Sequence, residues 1–310
     1  MSAPLPTWDM AGLYLDACRM DVECFKPGNV SLASPGHGMT AQDFVRSATC
    51  SAPVLLDPAL TLGQRILGAI EATQAAVGCN TNLGIVLLVA PLVQACVAYP
   101  HLSPRSALQK VLTETTLDDA HDVYAAIRCA NPGGLGHVQR QDVAAAPAVC
   151  LRDAMTLAAD RDMIARQYAN GFSELFDVAL PYLRDARAAG DVGDATTDLY
   201  LFMLAQYPDT HIQRKHGAVC AAEISARAAE LHCDAIARRG IAGHRAELRA
   251  FDVDLKRRGI NPGTTADLCV ATHFLHGLLL QASTHAGRVP DHPRSCRPER
   301  AEVPHFRAAK

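Results

Sequence analysis

LGIVLLVAPLVQACVAY, residues 83–99, is the longest apolar run in the chain and is interrupted by Pro91 and Gln94. A membrane-spanning helix needs about 20 apolar residues, and this run falls short. It therefore reads as a helix buried in a protein core and kinked at Pro91, where the ring removes a backbone donor. The composition around it agrees: hydrophobic residues make up 49% of the chain and aromatics only 5%. A core with so few rings is built from Ala, Leu, Val and Ile, of which Ala and Leu are strong helix formers. Alternating apolar and polar runs are nearly absent, whereas helical spacing recurs throughout. The expectation is an all-α fold, one large multi-helix domain over residues 1–286. At 310 residues the chain is long enough to bury a sizeable core.

Helices are predicted at 7–24, 40–52, 60–78, 83–98, 105–113, 116–130, 148–189, 196–207, 212–240, 243–259 and 265–286. The long central one carries an apolar stripe of Leu151, Met155, Ala158, Ala165, Ala169, Phe172 and Phe176, which Asp162 interrupts. The segment RVPDHPRSCRPERAEVPHFRAAK, from Arg288, is rich in Pro and Arg and lacks apolar periodicity, so 287–310 reads as a mobile tail.

Net charge is −3, with 29 Lys and Arg against 32 Asp and Glu. No sequence-wide field favours nucleic acid or an anionic membrane, and any basic site must be local. Eleven cysteines run from Cys18 to Cys296 without a CxxC pair, and MSAPLPTWDM lacks the basic-then-apolar order of a signal peptide. Both features point to a cytoplasmic protein with reduced thiols.

Three Pro-Gly corners punctuate this helical pattern: KPGNVS (26–31), NPGGLG (131–136) and NPGTTADL (261–268). Proline presets the second position of a turn and glycine supplies a positive φ at the third, so each reads as a type II turn. Each also feeds a helix start, whose free N–H groups suit phosphate. Thr264 and Asp267 have the spacing of a capping box, which competes with a ligand role. In GCNTNLGIVLL one of Asn80 and Asn82 suffices as a cap, and Gly84 weakens the first turn, which suggests close approach of a ligand; a plain cap with a packing glycine is the alternative.

Asp162 on an apolar stripe needs a partner, Arg161 or Arg166, or a cation. Asp119 lies in line with Val123, Ala126 and Ala130, yet Thr116 three residues earlier makes another capping box; Asp118 and Asp122 read as a solvated face. Asp209 caps a helix that carries Arg214 and Lys215, which either grip phosphate or remain solvated. Together these groups suit a polyphosphate ligand with Mg²⁺, its charge shared among carboxylates, amides and basic side chains. The histidines make no zinc pattern: His273 and His276 lack HExxH spacing, and His211 and His216, five apart, read as ordinary helix residues.

KPGNVS, DFVRSA (43–48), NTNLGIVLL (80–88), NPGGLG with QDV (131–143), AADRDMIARQY (158–168), DTHIQRKHG (209–217) and NPGTTADL, in this order, resemble the triphosphoribosyl-dephospho-CoA synthase family. The resemblance spans roughly residues 10–283. It implies an all-α transferase that takes ATP with Mg²⁺, expels adenine and joins the triphosphoribosyl unit to a hydroxyl of dephospho-CoA or a related nucleotide-like acceptor. Two departures point to a divergent branch: Gly38 stands in HGMT where the family often has an acidic residue, and Asp21 replaces an expected Glu, with Glu23 nearby.

On this reading Lys26, Arg214 and Lys215 bind the triphosphate, and Asn29, Asn80, Asn82 and Thr264 position the substrate. Asp119, Asp162 and Asp267 bind Mg²⁺ or act as base, with Asp142 and Asp209 ranked behind them. A homodimer is left open. The rivals are a related phosphoribosyl or nucleotide transferase, an N-glycosidic hydrolase in one-carbon cofactor biosynthesis, and a non-catalytic helical nucleotide-binding protein.

Overall fold

Thr40, Thr61 and Thr116 start three helices in one way: each hydroxyl accepts from the N–H three residues on, and the side chain there (Asp43, Gln64, Asp119) returns the bond. Such reciprocal caps satisfy donors that a helix leaves free. The helices they start are α2 (Ala41–Leu55), α3 (Leu62–Val77) and α6 (Leu117–Ala130). In this computed structural model, which describes residues 9–134, 136, 140–238 and 240–286, they are joined by α1 (Met10–Glu23), α4 (Leu83–Ala98) and α5 (Pro104–Thr113). Then follow α7 (Leu151–Ala158), α8 (Met163–Asn170), a π-helical turn (Glu174–Ala179), α9 (Leu180–Ala189) and α10 (Val192–Gln206). The last are α11 (Thr210–His216), α12 (Ala218–Arg238), α13 (Gly240–Gly243), α14 (Arg245–Arg257) and α15 (Gly263–Ala286). The described residues contain no strand beyond the isolated bridges Ser31–Ser34 and Gly36–Met39, so the fold is all-α. The tail expected over 287–310 lies outside the described residues.

The run at 83–99 forms α4, which is buried from Leu83 to Val93 and packs against α3, α5 and α15. It runs through Pro91, whose ring cannot donate to the Leu87 carbonyl one turn back. Tyr168 fills that vacancy, its buried hydroxyl donating to Leu87 O at 2.6 Å. No helix of the described residues is long and apolar enough to cross a membrane.

Two helices expected as continuous are broken. Over 148–189, Asp162 leaves the helical region (φ −139°, ψ 118°) and its carboxylate accepts from Ile164 N and Ala165 N, starting α8 afresh; Gly171, at φ 73°, ends it. Asp162 is thus a cap and not a polar residue on a stripe. Over 212–240, Gly217 at φ 88° divides α11 from α12. The turn expectation holds at one corner of three. Gly28 has φ 81°, whereas at 131–136 the positive φ falls on Asn131, Gly134 and Gly136 and not on Gly133, and Gly263 is already the first residue of α15.

Candidate functional site

A cavity of about 780 Å³ opens among α1, α2, α4, α6, α7, α8, α11, α15 and the loops after α1 and α6. Its acidic side holds Asp21, Asp162 and Asp267; its basic side holds His37, His211, Arg214 and Lys215; Met39, Phe44, Leu87, Ile127 and Met155 supply apolar surface.

Asp267 carries the main departure from local expectation. The capping box with Thr264 does not form. Asp209, 56 residues before Thr265, caps the helix instead: one carboxylate oxygen accepts from Ile212 N at 3.0 Å, starting α11, and the other accepts from Thr265 N and Oγ1 at 2.7 and 2.8 Å, starting α15. Among the described residues Asp267 is left with no hydrogen bond or ion pair, and it lines the cavity. Burial, reinforced by the charges of Asp21 and Asp209, holds its carboxyl well above the usual carboxylate range.

Gly84 is explained by the same group. A Cβ at position 84 would overlap Asp267 Oδ2, so the close approach inferred for a ligand is made by a carboxylate of the protein. The two amides also divide their work. Asn80 Oδ1 accepts from Leu83 N at 3.2 Å, whereas Asn82 turns its amide to Thr73 Oγ1 (3.0 Å) and Ser51 Oγ (3.4 Å). Both line the cavity, as do Thr264 and Asn29, whose amide donates to Asn261 Oδ1 at 3.0 Å.

Asp162 finds its partner in neither Arg161 nor Arg166. Arg214, 52 residues away, donates to Asp162 Oδ2 at 2.5 Å, while Arg166 pairs with Glu174 at 2.7 Å. The pair holds α8 against α11 on the cavity wall.

Three predicted site residues stand apart from the cavity lining. Asp119 is buried and spends its oxygens on its own capping box and on Gly63 N (2.8 Å), joining α6 to α3. Asp209 is the double cap described above. Lys26 is buried behind Asp21, with Nζ 3.0 Å from its carboxylate and a further bond to its backbone carbonyl. It compensates the charge of a cavity residue and is not itself in the lining. Asp142 is in the lining.

The Pro-Gly corners converge here, each glycine meeting the basic side. Gly28 O accepts from His37 Nε2 at 2.8 Å. Cβ atoms at Gly133 and Gly134 would stand 2.8 Å from Lys215 Cε and from Arg214 O, and one at Gly263 would stand 2.6 Å from His211 Nδ1. The first and third corners also touch, since a Cβ on Gly28 would meet Pro262 at 2.9 Å. The corners therefore provide close backbone approach to His37, His211, Arg214 and Lys215. Spacing along α11 gave no sign of the placement of His211, and the proximity of either histidine to a corner glycine is visible only in three dimensions.

Burial, then the positive charges of Lys215 and Arg214, pushes the His211 imidazole down to about 3, so it is neutral at physiological pH. Burial also lowers His37, partly offset by its bond to Gly28 O. Among the described residues, no group of three or more His, Cys, Asp or Glu is arranged to hold a metal ion.

Among curated proteins, none matches the chain in sequence. A solved structure from Archaeoglobus fulgidus, described as that of a candidate triphosphoribosyl-dephospho-CoA synthase, has the same fold, with a TM-score of 0.60 at 24% identity over 76% of this chain and 96% of that one. The family model CitG, ATP:dephospho-CoA triphosphoribosyl transferase, matches residues 7–285. The all-helical fold and a match over nearly the whole chain lead to one assignment: the chain belongs to the ATP:dephospho-CoA triphosphoribosyl transferase family, and is a transferase that moves the triphosphoribosyl unit of ATP to dephospho-CoA.

Proposed function

We propose that ATP binds in the 780 Å³ cavity with its triphosphate against Arg214 and Lys215 and its ribose toward Asp267. The acceptor's hydroxyl attacks the anomeric carbon as the bond to adenine breaks, through a transition state with oxocarbenium character. Asp267 takes the hydroxyl proton. The observation that carries this role is its carboxylate: it faces the cavity and has no partner among the described residues, and burial beside other carboxylates raises its proton affinity. Asp21, its charge balanced by Lys26, supplies a fixed negative group on the same cavity wall. Asn29, Asn80, Asn82 and Thr264 position the ribose and the acceptor.

Magnesium fits this donor set as a companion of the substrate phosphates, since it is ordinarily held by only one or two carboxylates together with phosphate. Asp162, already beside Arg214, is the carboxylate that would meet it, and the ion would neutralise phosphate charge. Asp119 and Asp209 act as caps and leave the set. ATP as substrate and unpaired thiols at the described cysteines accord with a reducing, cytoplasmic setting.

The test is adenine release from ATP, Mg²⁺ and dephospho-CoA, followed by mass spectrometry of the product. Asp267→Asn should lose turnover by about 100-fold or more while still binding ATP. Adenine release by the wild type without transfer would replace this reading with hydrolysis of the same bond.

A further inference from the structure

Two histidines that Arg214 and Lys215 do not account for stand in the same wall. His37 and His211 are 174 positions apart in the sequence and line one cavity, where the charge of Lys215 bears on both. Their hydrogen bonding differs in a way that decides what each can do. The bond from His37 Nε2 to Gly28 O requires the proton on Nε2, because a carbonyl only accepts. Nδ1 of neutral His37 is then a bare acceptor and cannot bond a phosphate oxygen unless a second proton is added. Among the described residues His211 makes no side-chain hydrogen bond, and its Nδ1 edge lies against Gly263, so Nε2–H can donate from the neutral ring.

We propose that His37 and His211 complete the triphosphate subsite, with His37 taking up a proton as the anion binds and His211 donating as a neutral imidazole. The proposal rests on the reading that ATP occupies this cavity. The surrounding charges make it specific. His211 faces Lys215, Arg214 and His216 from its own helix and His37 from the loop after α1; His37 faces Lys256 and Asp252 of α14 as well as Lys215. Asp267 lies one turn along α15 from Gly263. The cations oppose protonation of either ring while the cavity is empty of anion. A polyphosphate reverses the sign of the local field, and the ring that needs a proton to bond it acquires one.

The experiment is calorimetry of the full chain at pH 7 with inorganic tripolyphosphate and with MgATP, each in buffers of different ionisation enthalpy, which gives the number of protons taken up. The wild type should take up close to one proton per ligand bound with either probe. His37→Gln should abolish most of that uptake and weaken binding about tenfold. His211→Gln should weaken binding by a similar factor and leave the uptake as it was. Melting curves without ligand establish that both variants fold, and His37, in a half-buried loop, is the safer substitution. Unchanged uptake in His37→Gln, or tight binding without uptake in the wild type, overturns the inference and leaves the cavity assignment standing. Failure of both probes to bind the folded wild type overturns the two together.

Discussion

The carboxylate of Asp267 occupies the space that a side chain at Gly84 would fill. α15 and α4 thereby meet across a contact between a catalytic candidate and a missing methyl group. Gly84→Ala should lower overall stability only modestly, because the roughly 1 kcal/mol by which alanine favours a helix offsets part of the strain of displacing Asp267 and Ile164. Asp267 must move aside, so kcat should fall at least tenfold. Urea unfolding and adenine-release kinetics on one preparation check both statements, and a Gly84→Ala enzyme with normal kcat would remove the positional argument for Asp267.

The buried carboxyl of Asp267 makes a prediction about pH. Its folded-state proton affinity is raised, so the native protein holds this proton more tightly than the unfolded chain does. The resulting contribution is fully present below the unfolded pKa, about 3.9, and is lost as pH rises toward the folded value. Asp267→Asn cannot ionise and escapes that loss. The variant should be more stable than the wild type at pH 7, with the difference shrinking toward pH 4, as denaturant titrations at the two pH values will read.

Asp119 and Asp209 each cap two helices, α6 with α3 and α11 with α15. Removing either carboxylate by substitution with Ala should cost about 2–4 kcal/mol, the sum of two lost caps with some buried donors left unpaired. The two should differ in kinetics. Asp119→Ala, away from the cavity, should keep the kcat of the folded fraction, whereas Asp209→Ala loosens the helix starts that carry Arg214 and Asp267 and should lower it. A kcat collapse in folded Asp119→Ala would return that residue to the catalytic set.

Tyr168 compensates for Pro91 by bonding the carbonyl that the proline leaves open. Tyr168→Phe keeps the ring and strands Leu87 O in the core, at a cost of about 1–3 kcal/mol. Pro91→Ala restores the helix's own bond, so in that background Tyr168→Phe should cost less. A double-mutant cycle measured by chemical denaturation gives the coupling.

Much of the architecture is legible in local spacing. The apolar run at 83–99 becomes the buried α4, and Thr40, Thr61 and Thr116 mark helix starts, because a cap needs a hydroxyl and a carboxylate or amide three residues apart. The breaks at Asp162, Gly171 and Gly217 were also written locally, in cap residues that the apolar stripe outweighed. Of the residues read as one polyphosphate site, Asn29, Asn80, Asp162, Arg214 and Asp267 line one cavity, whereas Lys26, Asp119 and Asp209 stand outside its lining.

Sequence by itself determined the helical class, the central buried helix and the residue types available to a nucleotide. Tertiary structure alone decided which of those residues are spent and which are free. Thr264 and Asp267 have the spacing of a cap, yet Asp209 reaches Thr265 first, and Arg214 claims Asp162 from 52 positions away. Hydrogen bonding is a competition among all donors and acceptors brought within 3 Å, whereas spacing along the chain registers only those within one helical turn. His37 and His211 stayed hidden because neither is placed by periodicity along a helix: His37 is set by a loop bond to Gly28, and His211 by the approach of Gly263 from a distant corner.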